Sequence, residues 1–307
     1  MKLFSSLMKW VDADAAESSQ EDRIDWARIL PFVVLHISVI AVFWVGWSPI
    51  SIAFAVFFYI IRMFGITAFY HRYFSHKTFK TSRTAQFIFA IIGASATQRG
   101  PLWWASNHRH HHVHSDKATD IHSPKQTGFL WSHMGWFLSK KNFKTNFERI
   151  QDFAKYPELK WIDRFDVVIP LIFALSTFFL GFFLNRLFPG LETHAWQMFV
   201  WAYIISTIFV FHGTFVINSL AHVIGKRRFN TRDESKNSFI LALITFGEGW
   251  HNNHHKFPGS AKQGLHWWEI DLSYYGLLLL EKLGIIWDVN KGPDKDQIQQ
   301  AMLLAKQ

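Results

Sequence analysis

Four stretches of this 307-residue chain are apolar over a length that a water-soluble surface helix does not sustain. Residues 29–47 contain no Asp, Glu, Lys or Arg, residues 51–70 are interrupted only by Arg62, residues 167–188 carry Arg186 close to their end, and residues 196–217 complete the set. Each is near the roughly 20 residues that a helix needs to cross a bilayer. A segment in lipid must satisfy its own backbone, and runs of this length do so as helices. The expected fold is all-α: an integral membrane four-helix transmembrane bundle of two hairpins, with the intervening polar segments gathered into a helical cap. The apolar run 85–96 is too short to span and is expected to be re-entrant or interfacial. Residues 1–28 read as an N-terminal segment, 29–289 as one domain and 290–307 as a tail. The first 28 residues are charged with both signs and lack the basic start and apolar core of a cleavable signal peptide.

Half of the residues are hydrophobic, with 32 Phe and 15 Trp, yet Lys plus Arg exceed Asp plus Glu by 32 to 23. Apolar and basic blocks are therefore segregated. The bases flank the ends of the spans on one side: Arg72, Lys77, Lys80 and Arg83, then Lys155, Lys160 and Arg164, then Lys226, Arg227 and Arg228. The opposite turns, 48–50 and 189–195, contain no Lys or Arg. By the positive-inside rule the first set, and both termini, lie in the cytoplasm. Topology and anionic headgroups account for the basic balance, so nucleic acid is not expected as a partner. The absence of cysteine excludes disulfides, cysteine-ligated iron–sulfur clusters and thiolate-ligated haem.

Nine of the 17 histidines fall in four blocks: His71 and His76; His108, His111 and His112; His222; and His251, His254 and His255. The second and fourth blocks follow an i, i+3, i+4 pattern, which stacks three imidazoles on one helical face where they can converge on one point. Imidazole suits Fe, Zn, Cu and Ni. Nine ligands are too many for one ion and enough for two adjacent ones. His71 and His76 stand roughly 140° apart on an ideal helix, so both can ligate only where a helix ends or from different sides. Given the four spans, all nine fall on the cytoplasmic face, where the cap would carry the di-metal site.

At this point the residues resemble a known family. His71-Arg-Tyr-Phe-Ser-His76, His108-Arg-His-His111-His112 and His251-Asn-Asn-His254-His255 resemble the three histidine boxes of the membrane fatty acid desaturases. Asn218-Ser-Leu-Ala-His222 resembles an additional element of the stearoyl-CoA branch, and Thr231-Arg232-Asp233 with Gly247-Glu248-Gly249-Trp250 resembles bacterial delta-9 members. The resemblance runs from about residue 51 to 289. It implies that the nine histidines ligate two iron ions, that Asn218 reaches one of them through a water, and that O2 is consumed as a cis double bond enters a saturated acyl chain. It implies acyl-CoA as the first choice of substrate, with a phospholipid-linked chain close behind. It further implies a substrate tunnel lined by Trp104 and closed near Tyr59 and Met63, with Met63 as a chain-length stop.

One departure concerns the headgroup. Animal acyl-CoA enzymes of the family carry an Arg-Asp pair before the second box that contacts CoA; here the residues are Ser106 and Asn107. Arg99, Lys140, Lys141 and Lys144 are other bases that could meet CoA phosphates or lipid headgroups. Asp116, Asp120, Glu248, Glu269 and Asp271 are candidates to orient a ligating ring through its second nitrogen. His110, two residues from His108 and on the opposite helical face, is not expected to ligate, and His114 and His122 are expected to be exposed or hydrogen-bonded. His36 and His212, ionisable groups inside spans, and His133, His194 and His266 match no box. Trp103, Trp131, Trp136, Trp267 and Trp268 are expected in an interfacial belt. The chain holds no haem domain or dinucleotide fingerprint, so electrons from NAD(P)H must arrive through a separate ferredoxin, rubredoxin or cytochrome b5-like carrier. Hydroxylation at the same centre is an alternative chemistry, and a membrane metal sensor or transporter is the non-enzymatic alternative.

Overall fold

The computed structural model describes residues 10–15, 19 and 21–304. Among the described residues, four helices are long and apolar enough to cross a membrane: Arg28–Val45, Pro49–Ser75, Val168–Leu187 and Ala195–His222. They match the four apolar runs of the sequence, with one informative difference in length. The first and third have 18 and 20 residues, close to the bilayer's hydrocarbon thickness. The second and fourth have 27 and 28, or about 40 Å at 1.5 Å per residue, so their last turns stand clear of the hydrocarbon. Those last turns carry His71 and His222.

The turns at the other end are tied together by polar side chains. Ser48 caps the second span, accepting from the Ser51 N–H, while Pro49 takes the first helical position, where its missing N–H costs nothing. The Ser48 hydroxyl donates to Gln197 Oε1 at 2.8 Å, and the Gln197 amide donates to the Val45 carbonyl at 3.1 Å. The two hairpins are thereby held in register far from the histidines. Inside the bundle Arg62 is fully buried with hydroxyl and carbonyl partners instead of a carboxylate, donating to Thr207 Oγ1 at 2.6 Å, to Ser206 and to the Phe58 carbonyl. It fastens the second span to the fourth.

The cap is built of short helices joined by irregular segments, with a two-stranded pairing of Lys80–Thr81 with Ile286–Trp287. The apolar run after the first box forms the helix Arg83–Ala94, whose Gly93 lies so close to the Tyr70 ring that an added Cβ would fall 2.1 Å from it. Phe69 stacks on Phe89 at 3.9 Å, and Phe74, Phe153 and Leu102 complete a core beneath the histidines. Trp103 and Trp136, expected at the membrane interface, belong to the interior instead: they are 3% and 7% exposed and stack at 5.5 Å. The Trp103 indole N–H has the Asn142 carbonyl as its acceptor, which offsets the desolvation of that donor. Trp131 is half-buried, whereas Trp267 and Trp268 are exposed.

Candidate metal centre

Four elements bring the nine histidines together: the end of the second span, the helix Pro101–His114, the end of the fourth span and the short helix His251–Lys256. They fall into two groups. His71, His76, His108, His112 and His254 form one; His111, His222, His251 and His255 form the other, with potential ligand atoms within 4.8 Å of one another in each.

The partition corrects a simple reading of the spacing, because the three histidines of a box do not converge on one point. His108 and His112 go to one group and His111 to the other; His251 and His255 go to one and His254 to the other. Both helices obey the same rule. Residues i and i+4 differ by about 40° around a helix and stay together, whereas i+3 and i+4 differ by about 100° and diverge. Each helix therefore straddles both groups.

The first box follows a different winding. Residues Gly65–Ser75 form a π-helix, in which hydrogen bonds run from i to i+5. The His76 N–H donates to the His71 carbonyl at 3.2 Å, and the two rings sit 4.9 Å apart. Five-residue spacing, which an ideal α-helix would splay, becomes one side of the site.

The residues fit a metal. Nε2 atoms approach pairwise at 3.0 Å for His71 and His254, 2.8 Å for His76 and His108, 2.9 Å for His112 and His254, and 3.1 Å for His222 and His251. Ligand nitrogens about 2.1 Å from one ion and at right angles would be about 3 Å apart. His255 adds a buried Nε2 with no hydrogen-bond partner. Outer nitrogens are steadied by carboxylates: His71 Nδ1 lies 2.6 Å from Glu248, His111 Nδ1 3.0 Å from Asp120, His222 Nδ1 3.0 Å from Asp116, and His255 Nδ1 2.8 Å from Asp233. Such partners fix ring orientation and raise ligand basicity.

Electrostatics favours the ligating form. Burial, and after it the neighbouring imidazoles, holds His76, His108, His112, His251 and His254 well below the ordinary imidazole range. Burial also lowers His255 to about 4, despite the opposing pull of Asp233. These rings are neutral near pH 7, the state that binds metal. Burial raises Asp116, Asp120 and Asp233, but their histidine partners outweigh it and each ends below the usual carboxylate range. His111 stands apart, because burial lowers it but the neighbouring Asp120 carboxylate outweighs burial and raises it.

Three of the five acids expected behind ligands are there, and two are not. Glu269 instead pairs with Arg228 and accepts from the Asn253 amide at 3.1 Å. Asp271 pairs with Arg72 at 2.9 Å and caps the helix Leu272–Lys282. Asp233 was not among the expected partners, since its 22-residue separation from His255 leaves no local signal of contact. His122, expected to be exposed or hydrogen-bonded, is buried with its ring 4.2 Å from His111, and its Nδ1 has no hydrogen-bond partner. His110 and His114 are engaged locally, with the Thr119 and His110 carbonyls. His133 Nε2 lies 3.0 Å from His212 Nδ1, while the His36 ring is 5.5 Å from His212; His194 caps the fourth span's first helix and His266 stacks on Trp268 at 4.4 Å.

A cavity of about 320 Å³ reaches these groups, with His108, His122 and Asn218 in its wall. It shares Trp104, His108, Thr214 and Asn218 with a smaller inner space of about 30 Å³ that Met63 also lines. Trp104 lines both spaces and Met63 the inner one. Tyr59 lines neither space, and its hydroxyl donates to the Ile244 carbonyl beside Met63. In the wall of the larger space the Gln98 amide donates to Thr214 Oγ1 at 3.0 Å, a pairing not foreseen from sequence.

Comparison with known proteins agrees with this architecture. The profile of the fatty acid desaturase family matches residues 43–277. An sn-1 stearoyl-lipid 9-desaturase of Anabaena variabilis is 33% identical over 91% of this chain and 98% of its own. A chloroplastic palmitoyl-monogalactosyldiacylglycerol delta-7 desaturase of Arabidopsis thaliana is 34% identical over 90% of this chain and 71% of its own. An icosanoyl-CoA 5-desaturase of Limnanthes douglasii is 35% identical over 90% and 75%. The chain belongs to the fatty acid desaturase family.

Proposed function

We propose that the protein introduces a cis double bond, at the delta-9 position, into a saturated acyl chain, using two irons held by the nine histidines. The observation that carries this reading is the convergence of those histidines in two groups at the end of an apolar cavity. Asn218, which lines that cavity, is assigned to one iron through a water. Bound iron would supply the reduction of O2 to two waters; two protons and two electrons come from neighbouring methylenes as two hydrogen atoms, and two electrons and two protons from outside. The protein's own part is positional. An acyl chain offers no chemical handle, so the site of oxidation is set by depth, with Trp104 and Thr214 lining the space beside the histidines and Met63 taken as its closed end.

The headgroup reading shifts toward a lipid-linked chain. Ser106 is buried and donates to the Asn146 carbonyl, and Asn107 is buried and donates to the Trp103 carbonyl. Neither can meet CoA where the Arg-Asp pair of the animal enzymes would. Lys140 and Lys141 lie 3.9 and 3.0 Å from the carboxylates of Glu21 and Asp22, and Arg99 pairs with Asp166. Acyl-CoA, the first expectation from sequence, remains the competing form, and two relatives named for acyl-CoA 5-desaturation keep it in contention. We place the site and both termini on the cytoplasmic side, of a bacterial inner membrane, with a ferredoxin, rubredoxin or cytochrome b5-like donor drawn to the basic face. Purified protein given labelled stearoyl-phosphatidylcholine or stearoyl-CoA, with a donor system, tests this. Conversion of the lipid supports it, conversion of the CoA ester alone restores the other headgroup, and a hydroxylated product overturns desaturation.

A further inference from the structure

The larger cavity opens in an informative place. Among the residues that line it, only Pro31 and Leu171 are exposed, and every other is buried or half-buried. Pro31 lies three residues inside the first span and Leu171 three residues inside the third. Three residues are about 5 Å of helix, so both rims sit about one turn below the spans' cytoplasmic ends. That is the depth of the boundary between headgroups and acyl chains. The mouth is therefore between two membrane helices, among the described residues, and faces lipid.

The first span is the looser wall. Only 6% of its apolar window is buried, against 44% of the second span and 56% of the fourth, while its Ile29, Phe32 and Leu35 face the cavity. Leu30, Val33, Val34 and Ile37 point outward and are exposed. A wall bound so lightly can lean away at small cost in buried area, because hydrophobic stabilisation scales with area removed from solvent.

The inner side of the mouth carries polar groups suited to an ester. Arg99 and Arg28 place their guanidinium carbons 3.8 and 3.6 Å from the centre of the Phe143 ring, a geometry that fixes both planes. Arg99 lines the cavity, holds Asp166 through Nε and the Phe143 carbonyl through Nη2, and leaves a buried Nη1 with no acceptor. An orphaned buried donor is costly unless a ligand supplies an acceptor. Arg99 also adopts φ +71°, in the left-handed region that a non-glycine residue enters only when its surroundings impose it.

We infer that the gap between the first and third spans is an intramembrane portal through which a bilayer glycerolipid threads one acyl chain, its ester carbonyl accepting from Arg99 Nη1. The inference rests on the acyl-chain reading of the cavity. It adds the route, the rim residues and a specificity contact. A lipid entering this way never leaves the bilayer, whereas an acyl-CoA would have to bring its highly charged headgroup to a lipid-facing gap. Arg99 is a binding and positioning residue in this account, acting before the metals are reached.

The test uses the absence of native cysteine. Full-length Leu171→Cys and Ile172→Cys proteins are placed in phosphatidylcholine nanodiscs containing a phosphatidylcholine with a diazirine in its acyl chain. Each is then modified with a bulky membrane-permeant thiol reagent, with the extent of modification read by mass spectrometry. Ile172 is 58% exposed and does not line the cavity, so it controls for label and fold. Photolysis before labelling should give cross-links on cavity peptides containing Trp104 or Thr214. Labelling the Leu171→Cys protein should abolish them, and labelling the Ile172→Cys protein should leave them. Arg99→Gln should weaken cross-linking and Arg99→Lys restore part of it, with a raised KM and unchanged kcat for the lipid. Cavity cross-links that survive labelling of the Leu171→Cys protein, or that form only with a diazirine acyl-CoA added from the aqueous phase, would overturn the portal. Because cross-linking needs no turnover, blocked cross-links with no double bond formed would uphold the portal and sink the desaturase reading alone.

Discussion

The five-histidine and four-histidine groups share the helices Pro101–His114 and His251–Lys256, take their remaining histidines from the second and the fourth span respectively, and differ in what stands behind them. In the four-histidine group, His111, His222 and His255 each hold an aspartate on Nδ1, and only His251 lacks one. In the five-histidine group Glu248 stands behind His71, and no other carboxylate pairs with a member among the described residues. The groups trade ligand number against ligand basicity. More imidazoles compensate for fewer anions on one side, and anionic support compensates for a missing imidazole on the other.

The largest expected effect removes a ligand from either side. His111→Ala, His222→Ala or His254→Ala should abolish double-bond formation while the protein still inserts. Iron content per chain should fall by about half if each group holds one ion independently, as the separation of the ligand sets suggests. Loss of both ions from a single substitution would merge the two groups into one cooperative site.

Changes behind the ligands should be smaller and asymmetric. Asp120→Asn or Asp233→Asn should cost about 10–100-fold in metal retention at the four-histidine group, read by chelator challenge and elemental analysis. Glu248→Gln should act on the other group. It also unsettles Arg72, whose guanidinium lies 3.1 Å from Glu248, so a drop in thermal stability should accompany it there. Equal metal loss from all three variants would break the comparison.

Acid should act against both groups through their depressed histidines, with the raised His111 opposing them. Burial holds His255 at about 4, below the roughly 6.5 of an unfolded histidine. Between those values the unfolded chain takes protons that the folded chain refuses, so stability falls as pH drops from about 6.5 to 4. The depressed aspartates extend the loss below about 4, where the unfolded chain is protonated first. Metal-free protein in detergent should therefore melt at progressively lower temperature across this range. A flat melting profile would contradict the buried neutral histidines.

The smallest effect concerns chain length. An added Cβ at Gly213 would lie 2.7 Å from Met63 Cε, so Gly213→Ala should push Met63 into the inner space and favour shorter substrates. Met63→Ala should favour longer ones. Product profiles that ignore both substitutions would remove Met63 from the closed end.

Much of this is legible in the residues alone, for physical reasons. Apolar length announces a span because lipid permits few alternatives, and His222 follows the fourth span by simple continuity. The division of the two three-histidine boxes between the groups is equally implicit in helix geometry, although three histidines on one face read at first as one point. His71 and His76 are harder, since the π-helix that joins them departs from ideal winding. Asp233, His122 and Trp136 are out of reach, because their neighbours are set by the folding of the cap and not by spacing along the chain.

The central claim is that these two histidine groups carry out acyl desaturation. It is tested most directly by expressing wild type and His254→Ala in a host without its own desaturase and locating double bonds in the lipids by mass spectrometry. New cis monounsaturated chains with wild type, and none with His254→Ala at equal membrane abundance, are the predicted result. Absence of new double bonds with wild type, or their persistence in the variant, would contradict it.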